Sequence, residues 1–213
     1  MTVELAELEV GDEPDAWEAA GFTVGDDDTI QVGAVRIRLA GHDGGRRIRS
    51  WTLRGVDPAV SSVDGIVTRA GTEPDGDIDG DVPAHPNGVV AIDHVVLLSP
   101  DLARTTGALE ALGVGLRRTR QIDESQYGFP AVQSFFRLGE PILELIGASE
   151  PTGDGPSGFF GLAYTVADLD ALPDRYGEAL GRVKDAVQPG RRIATLRHKQ
   201  LDLSVATAFM TPP

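Results

Sequence analysis

Cysteine is absent from this sequence, and so is any long uninterrupted apolar run. Without cysteine, the chain has no disulfide, no thiolate metal site and no cysteine nucleophile. The most apolar run, residues 88–98, is interrupted by Asp93 and His94 and is too short to span a bilayer. The N-terminal residues lack the basic start and apolar core of a signal peptide. We therefore expect a cytoplasmic protein.

Basic residues are the scarcer charged class, with 19 Lys and Arg against 33 Asp and Glu. The resulting net charge of −14 repels phosphate backbones and anionic membrane surfaces. Nucleic acid and membranes are therefore not expected as partners, and the acidity is interpreted as an aid to solubility. Hydrophobic residues make up 41% of the chain, which is typical of a folded globular protein.

An acidic segment, residues 71–88, divides the chain into two regions. It reads GTEPDGDIDGDVPAHPNG, with five acids, no bases and several Gly and Pro residues. No apolar period runs through it, so it is predicted to be a linker or a long loop. The predicted units on either side are residues 1–70 and residues 89–213.

The region 89–213 contains two copies of one pattern. The first copy has a strand, a helix and three strands, at 89–99, 100–112, 116–122, 133–138 and 141–146. The second has the same order, at 161–166, 168–180, 182–187, 192–197 and 201–209. Asp101-Leu102 aligns with Asp168-Leu169, and Ala111-Leu112-Gly113 with Ala179-Leu180-Gly181. An internal repeat identifies an architecture better than a single propensity does, so we predict tandem βαβββ modules in an α+β fold.

A reduced copy of the pattern precedes the acidic segment. Residues 33–41, GAVRIRLAG, align without a gap on residues 139–147, GEPILELIG. Before them we predict a strand at 3–10, a helix around 14–20 and a strand pair within 22–39. Residues 49–56 are predicted to be the first strand of a fourth copy, which then ends in the linker.

This arrangement resembles the vicinal-oxygen-chelate superfamily, which includes glyoxalase I, extradiol dioxygenases and bleomycin-resistance proteins. The resemblance rests on AIDHVVLLSPDLARTTGALEALG, on PILELIGA and on FFGLAYTVADLDAL, in that order. It covers residues 89–210 well and residues 3–56 weakly. It implies a curled, partly open mixed sheet, whose cavity holds a small ligand and, in many members, one divalent metal ion.

Two residues occupy ligand positions of the first C-terminal module. The resemblance implies that His94 and Glu144 would bind a divalent ion such as Zn²⁺, Ni²⁺, Mn²⁺ or Fe²⁺, with Glu144 also a catalytic proton shuttle. Strand alternation places His94 on one face with Val96, and Glu144 on one face with Ile142. If both faces line the cavity, the two side chains converge.

The other ligand positions depart from the pattern. The repeat offset moves His94 to Gly161, which has no side chain, and an anchor of Arg137 on Arg197 moves Glu144 to Ser204. The N-terminal copy has Arg38 at the Glu144 position, and a guanidinium does not ligate metals. A register slip in the second module would instead bring Asp202 or His198 to the site.

Simpler interpretations stand beside these. His94 could be a buried structural histidine, and Glu144 the solvent-facing residue of an edge strand. Four basic residues lie on or beside one predicted hairpin, either as a grip for an anionic ligand or, as we prefer, as ordinary surface charge: Arg191, Arg192, Arg197 and His198.

Three functions remain open. The first is a bleomycin-resistance-like or glyoxalase-like protein that binds a small molecule in the sheet cavity, without metal or any other cofactor. The second is a metal-dependent isomerase, lyase or dioxygenase that acts on a small oxygenated metabolite through His94 and Glu144. The third is a structural or interaction protein. The missing ligands favour the first, and a homodimer is compatible with each.

Overall fold

A computed structural model describes residues 2–72, 83–122 and 130–213 of the chain. The N-terminal sheet is mixed and is built from six short strands. They are β1 (Glu4–Val10), β2 (Thr29–Val32), β3 (Val35–Leu39), β4 (Ile48–Arg54), β5 (Ser62–Val63) and β6 (Ile66–Ala70). Their order across the sheet is β2-β3-β1-β4-β6-β5. β1 runs parallel to β3 and antiparallel to β4.

The C-terminal sheet is larger and also mixed. Its strands are β7 (Val89–Leu98), β8 (Arg118–Ile122), β9 (Ala131–Arg137), β10 (Ile142–Ala148), β11 (Gly158–Val166), β12 (Lys184–Asp185), β13 (Arg192–Leu196) and β14 (Ala206–Met210). They are ordered β12-β13-β14-β11-β7-β10-β9-β8, so the two predicted modules meet where β7 pairs with β11. The chain therefore has the predicted α+β fold, with tandem modules in one curled mixed sheet.

The described helices are short. They are α1 (Pro14–Ala19), α2 (Leu102–Ala111) and α3 (Leu172–Tyr176). Asp101 caps α2, because its side chain accepts a hydrogen bond of 3.0 Å from the Arg104 amide. No helix in the described ranges has the length and apolarity needed to cross a membrane.

The second module contains less regular structure than its pattern predicts. The helix predicted over 168–180 is reduced to α3 and one 3₁₀ turn, because Gly177 takes a positive φ of 50°. The strand predicted over 201–209 begins only at Ala206, and residues 198–201 form a 3₁₀ turn instead.

The inner strands of the two sheets correspond one to one. β2-β3-β1-β4-β6-β5 matches β9-β10-β7-β11-β14-β13 in order and direction, while β8 and β12 extend only the C-terminal sheet. The expectation that the fourth copy ends after its first strand is therefore wrong, because β5 and β6 complete it. Much of the linker predicted for 71–88 lies outside the described residues.

One apolar core joins the two sheets. Phe22, in the connection between α1 and β2, lies 5.3 Å from Tyr164 of β11 and 5.0 Å from Trp17, measured between ring centroids. Tyr176 stacks on Phe209 at 5.5 Å and donates a hydrogen bond of 2.7 Å to the Ala20 carbonyl. Burying one side chain such as Phe209 stabilises the fold by about 1.5–3 kcal/mol. With these faces packed together, the opposite faces carry polar residues, and that of the C-terminal sheet also carries a smaller apolar cluster of Ile122, Ala131 and Ile146.

Candidate functional site

His94 and Glu144 lie on neighbouring parallel strands, on the face of the C-terminal sheet that points away from the core. His94 of β7 is opposite Ile142 of β10, and Glu144 is opposite Val96. Residues two apart on a strand share a face, so all four belong to one surface, which we call the C-terminal open face. The distance between His94 Nε2 and Glu144 Oε2 is 3.3 Å. The two residues singled out from the sequence are thus adjacent.

Glu144 is buried on an interior strand. It is only 7% exposed, so the interpretation as a solvent-facing residue of an edge strand is wrong. Gln133 of β9 donates a hydrogen bond to its Oε1. Burial raises the pKa of the Glu144 carboxyl group, although the positive charges of His94 and Arg120 act in the opposite direction. A carboxyl group in this setting retains a proton to higher pH than a surface glutamate.

Asp93 holds the His94 ring in place. The register between β7 and β11 shifts at this point, so Asp93 has no partner on β11 and its side chain reaches the ring. Asp93 Oδ1 is 2.7 Å from His94 Nδ1, and Asp93 Oδ2 accepts a hydrogen bond of 2.5 Å from Arg191 Nη2. Burial raises the pKa of Asp93, but the hydrogen bonds from His94 and Arg191 outweigh it and lower the pKa to about 2. Sequence reasoning missed Asp93, although an acid directly before His94 in an apolar strand was a usable signal.

The four basic residues of the predicted hairpin do not form one patch. Arg191 is buried against Asp93, whereas Arg192 pairs with Asp170 at 2.8 Å on the surface. Arg197 donates a hydrogen bond of 2.7 Å to the Glu178 carbonyl. These residues therefore do not form the single basic patch that the alternative interpretation, a grip on an anionic ligand, requires.

Gly161 cannot be replaced by a larger residue without moving the neighbouring strand. It lies opposite Ala206 of β14, and an added Cβ atom would be 2.3 Å from the Ala206 carbonyl oxygen. Close approach of two backbones is a common reason for glycine within a strand. The second module therefore has a glycine at the position of His94, because any side chain there would clash with β14.

The counterpart of Glu144 is Ala208 rather than Ser204. Arg137 does match Arg197, since each starts the connection from the penultimate strand to the last strand of its module. The connection is residues 138–141 in the first module but 198–205 in the second, so the offset does not carry through. Ser204 precedes β14, where its hydroxyl accepts a hydrogen bond of 2.7 Å from the Arg47 amide.

The two replacement ligands considered from the sequence also lie elsewhere. Asp202 is on the same long connection and pairs with Arg46 at 2.7 Å. His198 is in the 3₁₀ turn of that connection. Among the described residues, no group of three or more His, Asp or Glu side chains is placed to hold a metal ion. His94 and Glu144 alone would not make a closed metal site.

A cavity of about 370 Å³ opens beside His94. Of the lining residues that the structure describes, three are arginines and none is acidic. The lining consists of His94, Arg117, Arg118, Phe135, Phe136, Arg137, Ile142 and Gln188. Arg118 lies over the Phe135 ring, with its guanidinium carbon 4.8 Å from the ring centroid. The run Arg117-Arg118-Thr119-Arg120 was the sequence signal for this positive surface, and sequence reasoning missed it.

Comparison with known proteins identifies the fold. No protein-family model and no curated protein sequence matches the chain. Among solved structures, a triple mutant of 4-hydroxymandelate synthase from Streptomyces coelicolor is similar, with 16% identity, coverage of 98% of this chain and 92% of that chain, and a TM-score of 0.65. A xylose isomerase-like TIM barrel/4-hydroxyphenylpyruvate dioxygenase fusion protein has 14% identity and a TM-score of 0.62, covering 98% of this chain and 49% of that one.

A third similar structure is methylmalonyl-CoA epimerase from Mycobacterium tuberculosis. It has 20% identity and a TM-score of 0.46, and covers 59% of this chain and 90% of that chain. At these identities the similarity concerns the fold and not the chemistry. The paired mixed sheets and the two neighbours that span the whole chain agree with the resemblance found in the sequence. The chain has the fold of the vicinal-oxygen-chelate superfamily.

Proposed function

We propose that the chain binds a small organic anion in the cavity beside His94, and that this binding does not require a metal. The observation that carries the proposal is the lining of that cavity, which combines three arginines with two phenylalanines and has no carboxylate among its described residues. A concave site with apolar walls and a few convergent polar groups is the usual form of a small-molecule site. The chain as a whole has a net charge of −14, so this local positive surface requires a reason of its own.

The arginines would supply the attraction and the orientation. A guanidinium group forms paired hydrogen bonds with a carboxylate or phosphate, and such charge-assisted bonds are stronger than neutral ones. Arg118 is held over Phe135, which leaves less side-chain freedom to be lost on binding. The phenylalanine rings would contact the apolar part of the ligand.

The pair of His94 and Glu144 would fix a second polar group of the ligand. Asp93 occupies Nδ1 of His94, so Nε2 is the atom that faces Glu144 and the open face. Because burial raises the pKa of Glu144, this carboxyl group can act as a donor as well as an acceptor. A hydroxyl or carbonyl oxygen on the ligand would therefore find a partner here.

Calorimetry on chelator-treated protein tests this proposal. The probes are aromatic and aliphatic carboxylates, each with its neutral alcohol as the matched control. We expect saturable binding of acids only, and about tenfold or greater weakening by Arg118→Gln, since tenfold corresponds to about 1.4 kcal/mol. Arg36→Gln removes the same charge from the N-terminal sheet and should leave the affinity unchanged. Equal binding of acids and alcohols, or equal loss in both variants, would refute the proposal.

A metal-dependent isomerase, lyase or dioxygenase that uses His94 and Glu144 is the second candidate. Two observations favour it. The distance of 3.3 Å between His94 Nε2 and Glu144 Oε2 is close to the roughly 3 Å expected for adjacent ligands of one ion with bonds of about 2.1 Å. In addition, the carboxylate of Asp93 contacts the other ring nitrogen of His94, as second partners of metal-binding histidines do.

A thermal-shift series separates the candidates. The chelator-treated protein is heated with the acid panel, first alone and then with Ni²⁺, Mn²⁺ or Fe²⁺, because a ligand that binds the folded state stabilises it. Stabilisation by acids alone supports metal-free binding. Stabilisation that appears only with an ion, and disappears in His94→Ala, supports the metal-dependent enzyme. If neither series stabilises the protein, the result supports a structural role.

A further inference from the structure

A second cavity, of about 520 Å³, lies between the two sheets' connecting loops and shares no lining residue with the cavity beside His94. One wall is the loop between β3 and β4, and the other is the long connection between β13 and β14. Its lining consists of Arg46, Arg47, Phe160, His198, Lys199, Asp202, Leu203, Ser204 and Ala206. The long connection of the second module, residues 198–205, thus forms one side of a cavity.

The positive charges in this cavity are only partly balanced. Arg46 is neutralised, because it pairs with Asp202 at 2.7 Å and with the buried Asp12 at 3.2 Å. Within the described parts of the chain, Arg47 and Lys199 take part in no ion pair. Asp202 is the one acid among the described lining residues, and it already pairs with Arg46. Two cations therefore remain available beside His198.

The backbone at Arg47 is in a conformation that favours glycine. Its φ is 79°, and it follows Gly44 and Gly45, so the loop contains residues better suited to this conformation. Hydrogen bonds on both sides fix the peptide: the Arg47 amide donates to Ser204 Oγ at 2.7 Å, and its carbonyl accepts from the Gly11 amide at 2.9 Å. Strain retained at a loop residue often accompanies a functional side chain.

His198 lies beside positive charges that lower its pKa, and a bound anion would oppose their effect. Burial lowers the pKa of His198, and the charges of Lys199 and Arg47 lower it further, whereas a hydrogen bond with the Leu196 backbone and the charge of Asp12 oppose this shift. A bound anion would stabilise the imidazolium form and raise that pKa. The imidazole would then join Arg47 and Lys199 as a third donor.

We propose that this cavity is a second binding site, which takes a small molecule with a phosphate monoester group and an apolar part. Three donors from two loops, those of Arg47, His198 and Lys199, match the two charges and three terminal oxygens of a phosphate better than a planar carboxylate. Phe160 is 49% exposed at the rim, and it provides a surface for the apolar part. The site goes beyond the proposed function, since it is built from different residues.

Phenyl phosphate, inorganic phosphate and benzyl alcohol are the probes for this site. We expect saturable binding of phenyl phosphate by calorimetry, weaker binding of inorganic phosphate and none of the alcohol. Arg47→Gly and Lys199→Gln should each weaken phenyl phosphate about tenfold, as the loss of one charge-assisted contact predicts. Arg47→Gly suits the positive φ, so its melting temperature should stay the same or rise, which keeps loss of binding distinct from misfolding.

Controls assign the binding to this cavity. Lys184→Gln removes one charge from the edge strand β12 and should leave the affinity for phenyl phosphate unchanged. All of these variants are compared in an Arg118→Gln background, in which binding to the cavity beside His94 is weakened. The His198 ring protons, followed by NMR, should titrate at higher pH once phenyl phosphate is bound, with Asp12, Asp202, Arg46, Arg47 and Lys199 as the surrounding charges. No saturable binding, unchanged binding in both Arg47→Gly and Lys199→Gln, or an unchanged His198 titration would each overturn the proposal.

Discussion

The two sheets place different chemistry at equivalent positions. In the C-terminal sheet, Val96 lies opposite Glu144, and in the N-terminal sheet Glu9 lies opposite Arg38. The same registers make Glu7 the counterpart of His94. Both sheets therefore have a polar pair on the open face at this point, His94 with Glu144 in one and Glu7 with Arg38 in the other.

The N-terminal pair belongs to a closed set of ion pairs. Arg36 lies 2.7 Å from Glu7, Arg38 lies 3.6 Å from Glu7 and Arg69 lies 3.1 Å from Glu9, measured between nitrogen and oxygen atoms. Arg38 also pairs with Glu9. Each carboxylate there already has a guanidinium partner, so the face offers nothing unsatisfied to a ligand.

The C-terminal face is arranged in the opposite way. Its counterpart of Arg69 is Ala208, and its counterpart of Ser50 is Gly161, so neither of these two positions has a polar side chain. Arg117, Arg118 and Arg137 line a cavity there. Two sheets of the same topology thus differ. The charged side chains of the N-terminal face pair with one another, whereas those of the C-terminal face line a cavity that can accept a ligand. The fold fixes where the side chains project, and the residues at a few positions decide what they do.

The largest effect is expected from the buried pair below the C-terminal face. Arg191→Met would leave Asp93 buried without its guanidinium, which costs about 3–5 kcal/mol of unfolding free energy. Arg36→Met in the exposed N-terminal set should cost only about 0–1 kcal/mol. Urea denaturation at pH 7 compares the two. Equal costs would contradict the distinction between a buried pair on one sheet and exposed pairs on the other.

The direction in which the unfolding free energy changes at acid pH can also be predicted. The pKa of Asp93 is about 2 in the folded chain, below its unfolded value of about 3.9. Its contribution to stability is therefore present above about pH 4 and is lost as the pH falls toward 2. Arg191→Met should flatten that part of the wild-type pH profile.

A new carboxylate on β14 tests whether the C-terminal open face can supply a further ligand beside His94. Ala208, Ala163 and His94 lie in one row across β14, β11 and β7. Because Ala163 is small, Ala208→Glu should reach across it toward His94 and bind Ni²⁺ about tenfold more tightly than the parent in calorimetry. His94→Ala in that background should remove the gain. Ser204→Glu, on the long connection, is the control that should gain nothing.

The architecture was predictable because repeats leave a signal that survives local errors. Asp101 and Asp168 mark matching places, and the alignment of residues 33–41 on residues 139–147 correctly placed β3 against β10. The N-terminal sheet was underestimated because β5 has two residues, which is too short to produce a recognisable alternation. Short strands depend on their neighbours more than on their own sequence.

The site was predictable in part. His94 and Glu144 were identified by position, and strand alternation explains their common face. Asp93 was missed because its role depends on a register shift between β7 and β11, which one strand's sequence does not reveal. Ser204 was misassigned because an offset taken at Arg197 does not detect the extra turn that follows it.

Two glutamates on equivalent faces should respond to neutralisation with opposite signs. Burial raises the pKa of Glu144, so the folded state holds a proton there above the unfolded pKa of about 4.3, and stability falls as pH rises through that window. At pH 7 Glu144→Gln should therefore raise the unfolding free energy by about 1 kcal/mol. Glu9→Gln breaks pairs with Arg38 and Arg69 and should lower it by about 0.5–1 kcal/mol. Urea midpoints that shift in the same direction would contradict this view of the two faces.

The smallest effect concerns His85, which ties the segment entering the C-terminal sheet to the N-terminal unit. Its Nδ1 accepts a hydrogen bond of 3.1 Å from the Thr23 amide, and its Nε2 donates one of 3.0 Å to the Gln31 carbonyl. Both contacts require the neutral ring, and burial lowers its pKa. The unfolded chain takes up a proton near pH 6.5, so stability should fall as the pH drops below about 6.5. The urea midpoint at pH 5.5 and at pH 7.5 measures this dependence. His85→Gln keeps one donor and one acceptor without titrating, so the difference between the two midpoints should be smaller than in the parent. If the difference is unchanged, the neutral ring of His85 is not what joins the two sheets.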